Sequence, residues 1–131
     1  MIGLDTDVVL RYILQDDPRQ SALATELLES LTPASPGFVS MICLSELYWV
    51  LDHTCKLSRA QISAILQALL ITDSLVIENA TLVSQAHADY YTGSADFDDC
   101  LIAQCALAAE CDSIYTFDQT AAKSGVMRLL S

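Results

Sequence analysis

Basic residues are scarce in this sequence: Lys and Arg number 6 against 17 Asp and Glu, a net charge of −11. The six cations, Arg11, Arg19, Lys56, Arg59, Lys123 and Arg128, are scattered along the chain. Proteins that bind nucleic acid through charge alone carry a clustered basic face, so bulk charge argues against a polyanionic substrate unless metals bridge it or the few cations converge in the fold. Glycine (4) and proline (3) are also few, and no repeat or biased segment occurs, which excludes fibrous and low-complexity classes. The most loop-like stretch, "TPASPG", is too short for an interdomain linker. No apolar run approaches the ~20 residues of a membrane span, and the start "MIGLDTD" lacks the basic region of an export signal. A cytoplasmic location is therefore expected. Five cysteines, Cys43, Cys55, Cys100, Cys105 and Cys111, form no C-x-x-C pair and have no histidine at zinc spacing. That excludes a disulfide framework and predicts buried, reduced thiols.

What the sequence does have is apolar residues and acids. A chain of 131 residues can bury a core unaided, and one domain over 1–131 is expected. Its hydrophobic share of 53% lies slightly above the usual value of about 45–50%, which hints at an apolar surface kept for a partner. Short apolar runs ending in polar residues, "MIGLD", "FVS", "SLVIE", "SIYT" and "VMRLL", read as five strands. Between them "TDVVLRYIL", "PRQSALATELLESL", "MICLSELYWVLDHTC", "RAQISAILQALLIT" and "ATLVSQAHADYYT" carry apolar residues at helical spacing. Ser58 and Asn79 sit where helix caps belong, and Gly93 where a helix should stop. A further helix is predicted over 96–111, and "FDQTAAKSG" reads as a loop or single turn. Alternation of strand and helix implies an α/β fold with a parallel sheet between helical layers, because parallel strands need crossover connections. In such sheets ligands bind beyond the carboxyl ends of the strands.

The acids collect there. Asp5 ends the first strand and Asp118 follows the fourth. Asp96, Asp98 and Asp99 crowd the start of the helix that feeds the fourth strand, and Glu46 interrupts the apolar run "MICLSELYWVL". Left unpaired in one crevice these carboxylates repel. An all-oxygen set without His or Cys suits Mg²⁺ or Mn²⁺ better than zinc or copper. A metal so held activates water and neutralises phosphate, the requirements of phosphodiester hydrolysis. His53 and His87 have no partner at ligand or catalytic spacing. Tyr48, Trp49, Tyr90 and Tyr91 read as core or dimer contacts rather than base-stacking platforms.

The ordered pieces "IGLDTDVVLRYIL", "SELYWVL", "ADFDDCLIAQCA" and "YTFDQTAAK" resemble PIN-domain proteins, and among them the VapC-type ribonuclease toxins of bacterial toxin–antitoxin pairs. The resemblance implies a three-layer α/β/α PIN-like fold with about five parallel strands in the order 3-2-1-4-5, flanked by helices. It implies a Mg²⁺- or Mn²⁺-dependent endoribonuclease whose metal ligands and catalytic acids are Asp5, Glu46, Asp99 and Asp118. Asp96 is implied as a ligand or a supporting acid on the Asp99 face. Asp98, about 100° round the helix from Asp99, is expected to be a solvated first-turn charge. Thr6, Asp7 and Thr116 are expected to support the ligands. RNA as substrate, a cognate antitoxin in the active-site groove and a homodimer are implied as partners. Two other readings stand beside this one. "GLDTDVVL" also fits the D-x-D-x-V strand end of haloacid-dehalogenase-type phosphatases, with Asp5 as nucleophile. A catalytically inactive PIN-like protein-binding module is the third.

Overall fold

The computed structural model describes all 131 residues. β1 (Ile2–Gly3) runs through buried Leu4 into Asp5, whose carboxylate accepts the Thr6 amide at 2.8 Å and starts α1 (Thr6–Leu14). Asp17 caps α2 (Pro18–Ser30), with proline in the first turn, where its missing N–H costs nothing. α2 folds back on α1. The chain then enters β2 (Gly37–Val39) at a crowded point: a Cβ on Gly37 would come within 2.8 Å of Leu31 Cδ1 and 2.9 Å of Leu4 Cδ1. Only glycine lets the α2 exit and β1 close over the strand there.

Two groups satisfy the N-terminus of α3 (Met41–Trp49): Ser40 Oγ accepts the Cys43 amide at 3.0 Å and the Glu78 carboxylate accepts the Met41 amide at 2.9 Å. The helix runs on into a π-helical turn, Val50–Thr54, so the predicted single helix to Cys55 changes its winding after Trp49. α4 (Arg59–Ile71) begins with a full capping box between Ser58 and Gln61. After β3 (Leu75–Ile77) comes α5 (Ala80–Thr92). Asn79 does occupy the cap position, but in a left-handed conformation with no side-chain bond to the helix. α6 spans Phe97–Ala108, shorter at both ends than predicted, because Asp96 is its N-cap and Ala109 its C-cap. β4 (Tyr115–Thr116), α7 (Gln119–Lys123) and β5 (Arg128–Leu129) complete the chain.

All five predicted strands form and all pair in parallel, but not in one sheet. β1, β2 and β3 make one sheet in the order β1-β2-β3, and β4 pairs only with β5. β1 and β4 are two residues each, so the seam between them offers few hydrogen bonds. Ile2 accordingly stays 44% exposed. The fold remains the mixed α/β architecture that was expected, with a divided sheet.

The main core gathers Leu4, Val9, Leu10, Val39, Leu47, Leu51, Ile62, Leu66 and Val83 around an aromatic cluster. Tyr48, Tyr90 and Phe97 pack with ring centroids 5.6–6.0 Å apart, within the favoured range for offset and edge contacts. Arg59 lies over Tyr90 at 4.3 Å and donates to the carbonyls of Tyr90, Ser94 and Ala95 at 2.8–3.0 Å. That fork fixes the approach of the chain to Asp96. A second, small core of Ala103, Ala121 and Met127 ties the β4–β5 unit to α6. Of the aromatics expected in core or interface, Tyr48 and Tyr90 are core, whereas Trp49 and Tyr91 are exposed.

The cysteines depart from expectation. Cys43 and Cys100 are buried, Cys55 is half-buried, and Cys105 on α6 and Cys111 after its end are exposed. Burial and nearby acids push the Cys100 thiol up to about 11. At pH 8, maleimide is therefore expected to label Cys105 and Cys111 rapidly and to reach Cys43 and Cys100 only in denaturant, as read by mass spectrometry of peptides.

Candidate active site

Three of the proposed acids occupy the same kind of position: Asp5, Asp96 and Asp118 are the N-cap residues of α1, α6 and α7. Asp5 and Asp118 stand where the chain turns from strand to helix and Asp96 where it passes from α5 to α6, and a carboxylate at such a start meets free amides and the positive end of the helix dipole. Asp118 shows this fully. Its Oδ1 accepts the Thr120 and Ala121 amides at 2.8 and 3.1 Å, while its own amide donates to Thr116 Oγ1 at 3.0 Å. Asp5 accepts only the neighbouring Thr6 amide, and the Asp96 side chain makes no capping bond.

Thr6 links the first two acids. Its buried hydroxyl donates to Glu46 Oε1 at 3.2 Å, tying the start of α1 to α3 across forty positions of sequence. The Cys43 thiol lies beside the same hydroxyl and within the field of Asp5 and Glu46. Burial first, and then those two charges, hold the thiol above its ordinary value. The second group is Asp99 with Asp96, Asp98 and Asp118. Burial raises the Asp99 carboxyl above the usual aspartate value, and the charges of Asp96, Asp118 and Asp98 add to the effect.

Asp98 corrects the sequence reading. It is half-buried rather than solvated, its Oδ1 accepts the Ser45 hydroxyl at 2.8 Å, and burial raises its pKa despite that bond. Ser45 was not singled out from the sequence, and no local signal marks it: its partner is 53 residues away. Asp96 is the N-cap of α6, three positions before Asp99, and its charge is the first of those that raise the Asp99 carboxyl. Asp7 is exposed in the first turn of α1, adjoining Arg11, and makes no hydrogen bond to the other acids; the capping role belongs to Asp5. His53 is more than a bare surface residue: it stacks on Trp49 at 4.8 Å, and its charge favours the ionised form of Asp98. His87 is held by Ser63 through its Nε2 at 2.9 Å, remote from the acids.

The acids therefore form two groups, Asp5 with Glu46, and Asp99 with Asp96, Asp98 and Asp118. No three of them lie close enough together to hold a metal ion. The donor chemistry, hard anionic oxygens without nitrogen or sulfur, fits Mg²⁺ or Mn²⁺; the spacing of the side chains leaves the set open across the divided sheet.

Residues 2–120 match the PIN domain family. The chain belongs to that family. PIN domains are generally metal-dependent nucleases that act on RNA, so the PIN assignment replaces the phosphatase reading and leaves Asp5 with no need to be a nucleophile. No curated protein matches the sequence. No helix of this PIN domain is long and apolar enough to cross a membrane.

The raised carboxyls give a stability prediction. A carboxyl whose native pKa lies above its unfolded value, ordinarily 3.8 for Asp98, binds its proton more tightly when folded. Its contribution is full at low pH and is lost as pH rises through the raised native value. Asp98→Asn is expected to be as stable as the parent or more so at pH 7, with the gain shrinking below pH 4, in paired urea melts. Asp118→Asn should likewise keep its cap, while Asp118→Ala should lose about 1 kcal/mol.

Proposed function

We propose that this PIN domain is an endoribonuclease that hydrolyses RNA phosphodiester bonds with Mg²⁺ or Mn²⁺, and that it serves as the toxin of a toxin–antitoxin pair. Asp5, Glu46, Asp99 and Asp118 are the acids assigned to the metal and the reaction, with Asp96 as a further ligand or supporting acid. The observation that carries the reading is the placement of Asp5, Asp96 and Asp118 at helix N-caps, with Glu46 joined to the first of these turns by Thr6. When bound, the divalent ion supplies an acidified water and offsets charge on the phosphate.

The chain's own residues prepare that site. Asp118 is fixed by two backbone amides and cannot swing freely. Glu46 is aimed by the Thr6 hydroxyl, and Asp99 carries a proton more readily than an ordinary aspartate because of its burial and its acidic neighbours. Thr116 supports the Asp118 turn through the amide it accepts. A single domain acting as a homodimer, in the cytoplasm, with an antitoxin covering the groove, completes the proposal. The exposed apolar side chains Ile42, Trp49 and Ile102 around α3 and α6 supply surface for such partners.

The inactive-module reading separates from this one by experiment. Purified protein freed of any partner should cleave single-stranded RNA with Mg²⁺ or Mn²⁺ and stop on addition of EDTA. Asp5→Asn and Asp99→Asn should each lower the rate by about 10²–10³-fold. Cleavage that persists in EDTA or in both variants contradicts the assignment.

A further inference from the structure

The β4–β5 unit has a surface that the acids do not explain. Tyr115 is 58% and Phe117 80% exposed, while Ile114 and Thr116 between and before them are half-buried. Alternate exposure puts both rings on one side of the strand and its continuation. Neither ring packs on another aromatic of the chain, although Tyr48, Tyr90 and Phe97 do so elsewhere. Tyr115 pairs in register with Arg128 on β5, and directly paired residues of neighbouring strands share a face. Arg128 and Lys123 are both exposed, and they are the only cations after Arg59.

Phe117 is also held in place. It lies between Thr116, whose hydroxyl accepts the Asp118 amide, and Asp118, whose carboxylate caps α7. The backbone that carries the most exposed aromatic ring of the protein is thus fixed beside an acid assigned to the reaction. Exposed rings next to cations are the composition of single-strand nucleic-acid platforms, in which bases stack on aromatic faces and cations follow the phosphates.

We propose that Tyr115, Phe117 and Arg128, with Lys123 nearby, form a binding platform for single-stranded RNA that stacks a base on Phe117 next to Asp118. The choice of RNA rests on the ribonuclease reading above, whereas the stacking site rests on exposure, register and charge. In a chain of net charge −11, cations placed beside exposed rings are the part of the surface that complements a phosphate backbone. Phe117 is then a specificity-determining residue: it selects unpaired bases over duplex.

The test is fluorescence anisotropy with a labelled single-stranded RNA of about ten nucleotides, in EDTA so that neither metal nor cleavage intervenes. Phe117→Ala is expected to weaken binding by about tenfold or more, and Phe117→Trp to retain it. Arg128→Gln should lower the slope of log affinity against log salt by about 1. With its ring so exposed, Phe117→Ala should melt as the parent does. The platform is overturned if the parent does not bind the oligonucleotide or if Phe117→Ala binds equally well. It is also overturned if that variant changes only the oligomeric state in gel filtration, which would make the face a contact between copies. Binding that depends on Phe117 in a protein that cleaves no RNA with Mg²⁺ or Mn²⁺ would support the platform and sink the ribonuclease reading instead.

Discussion

Mutual repulsion among carboxylates gathered at helix starts and strand ends is the constraint on which this PIN domain turns. The structure tolerates it by three means. Helix N-termini take up Asp5, Asp96 and Asp118. Hydroxyls of Thr6 and Ser45 donate to Glu46 and Asp98. Partial burial keeps Asp98 and Asp99 more easily protonated than ordinary aspartates. None of these removes the charge, and the chain has no Lys or Arg bridging to these acids: its one Arg–carboxylate pair is Arg11 with Asp16. Asp5, Glu46, Asp96 and Asp118 are exposed, so water reaches their carboxylates and no cation is needed to keep them charged. The acids are thus kept at helix starts or at hydroxyls and not at cations.

The packing serves this arrangement. The aromatic cluster of Tyr48, Tyr90 and Phe97 unites α3, α5 and the first turn of α6, so Glu46 and Asp99 are borne on helices that share one core. Arg59 spends its guanidinium on three carbonyls ahead of Asp96 and not on a carboxylate. One of the few cations is thereby committed to positioning the backbone that carries the acids. The β4–β5 unit is attached more lightly, through Ala103, Ala121 and Met127, and it brings Asp118 together with the exposed rings and the last two cations.

Much of this was legible in the sequence because it is local. Asp5 as the end of a strand and the start of a helix follows from "GLDTD", and α1, α4 and α5 begin where Asp5, Ser58 and Asn79 announce them. What escaped is what depends on distance. The division of the sheet turns on which strands pair at long range, with β1 and β4 only two residues each, and no period reveals that. Asp98 read as solvated because helical geometry gives its angle and not its partner, and Ser45 lies on another helix. Cys105 and Cys111 read as buried on composition, yet one is exposed on α6 and the other follows the helix end. The turn to π-helix after Trp49 left no mark in the apolar pattern either.

The central claim is that the acids form one cation-binding unit despite standing in two groups. Thermal melting with and without Mn²⁺ tests it directly, because a ligand that binds only the folded protein raises its midpoint. The parent should melt higher with Mn²⁺, and Asp5→Asn and Asp99→Asn, one from each group, should each lose most of that shift. A parent unaffected by Mn²⁺, or a shift that survives in either variant, would contradict the claim.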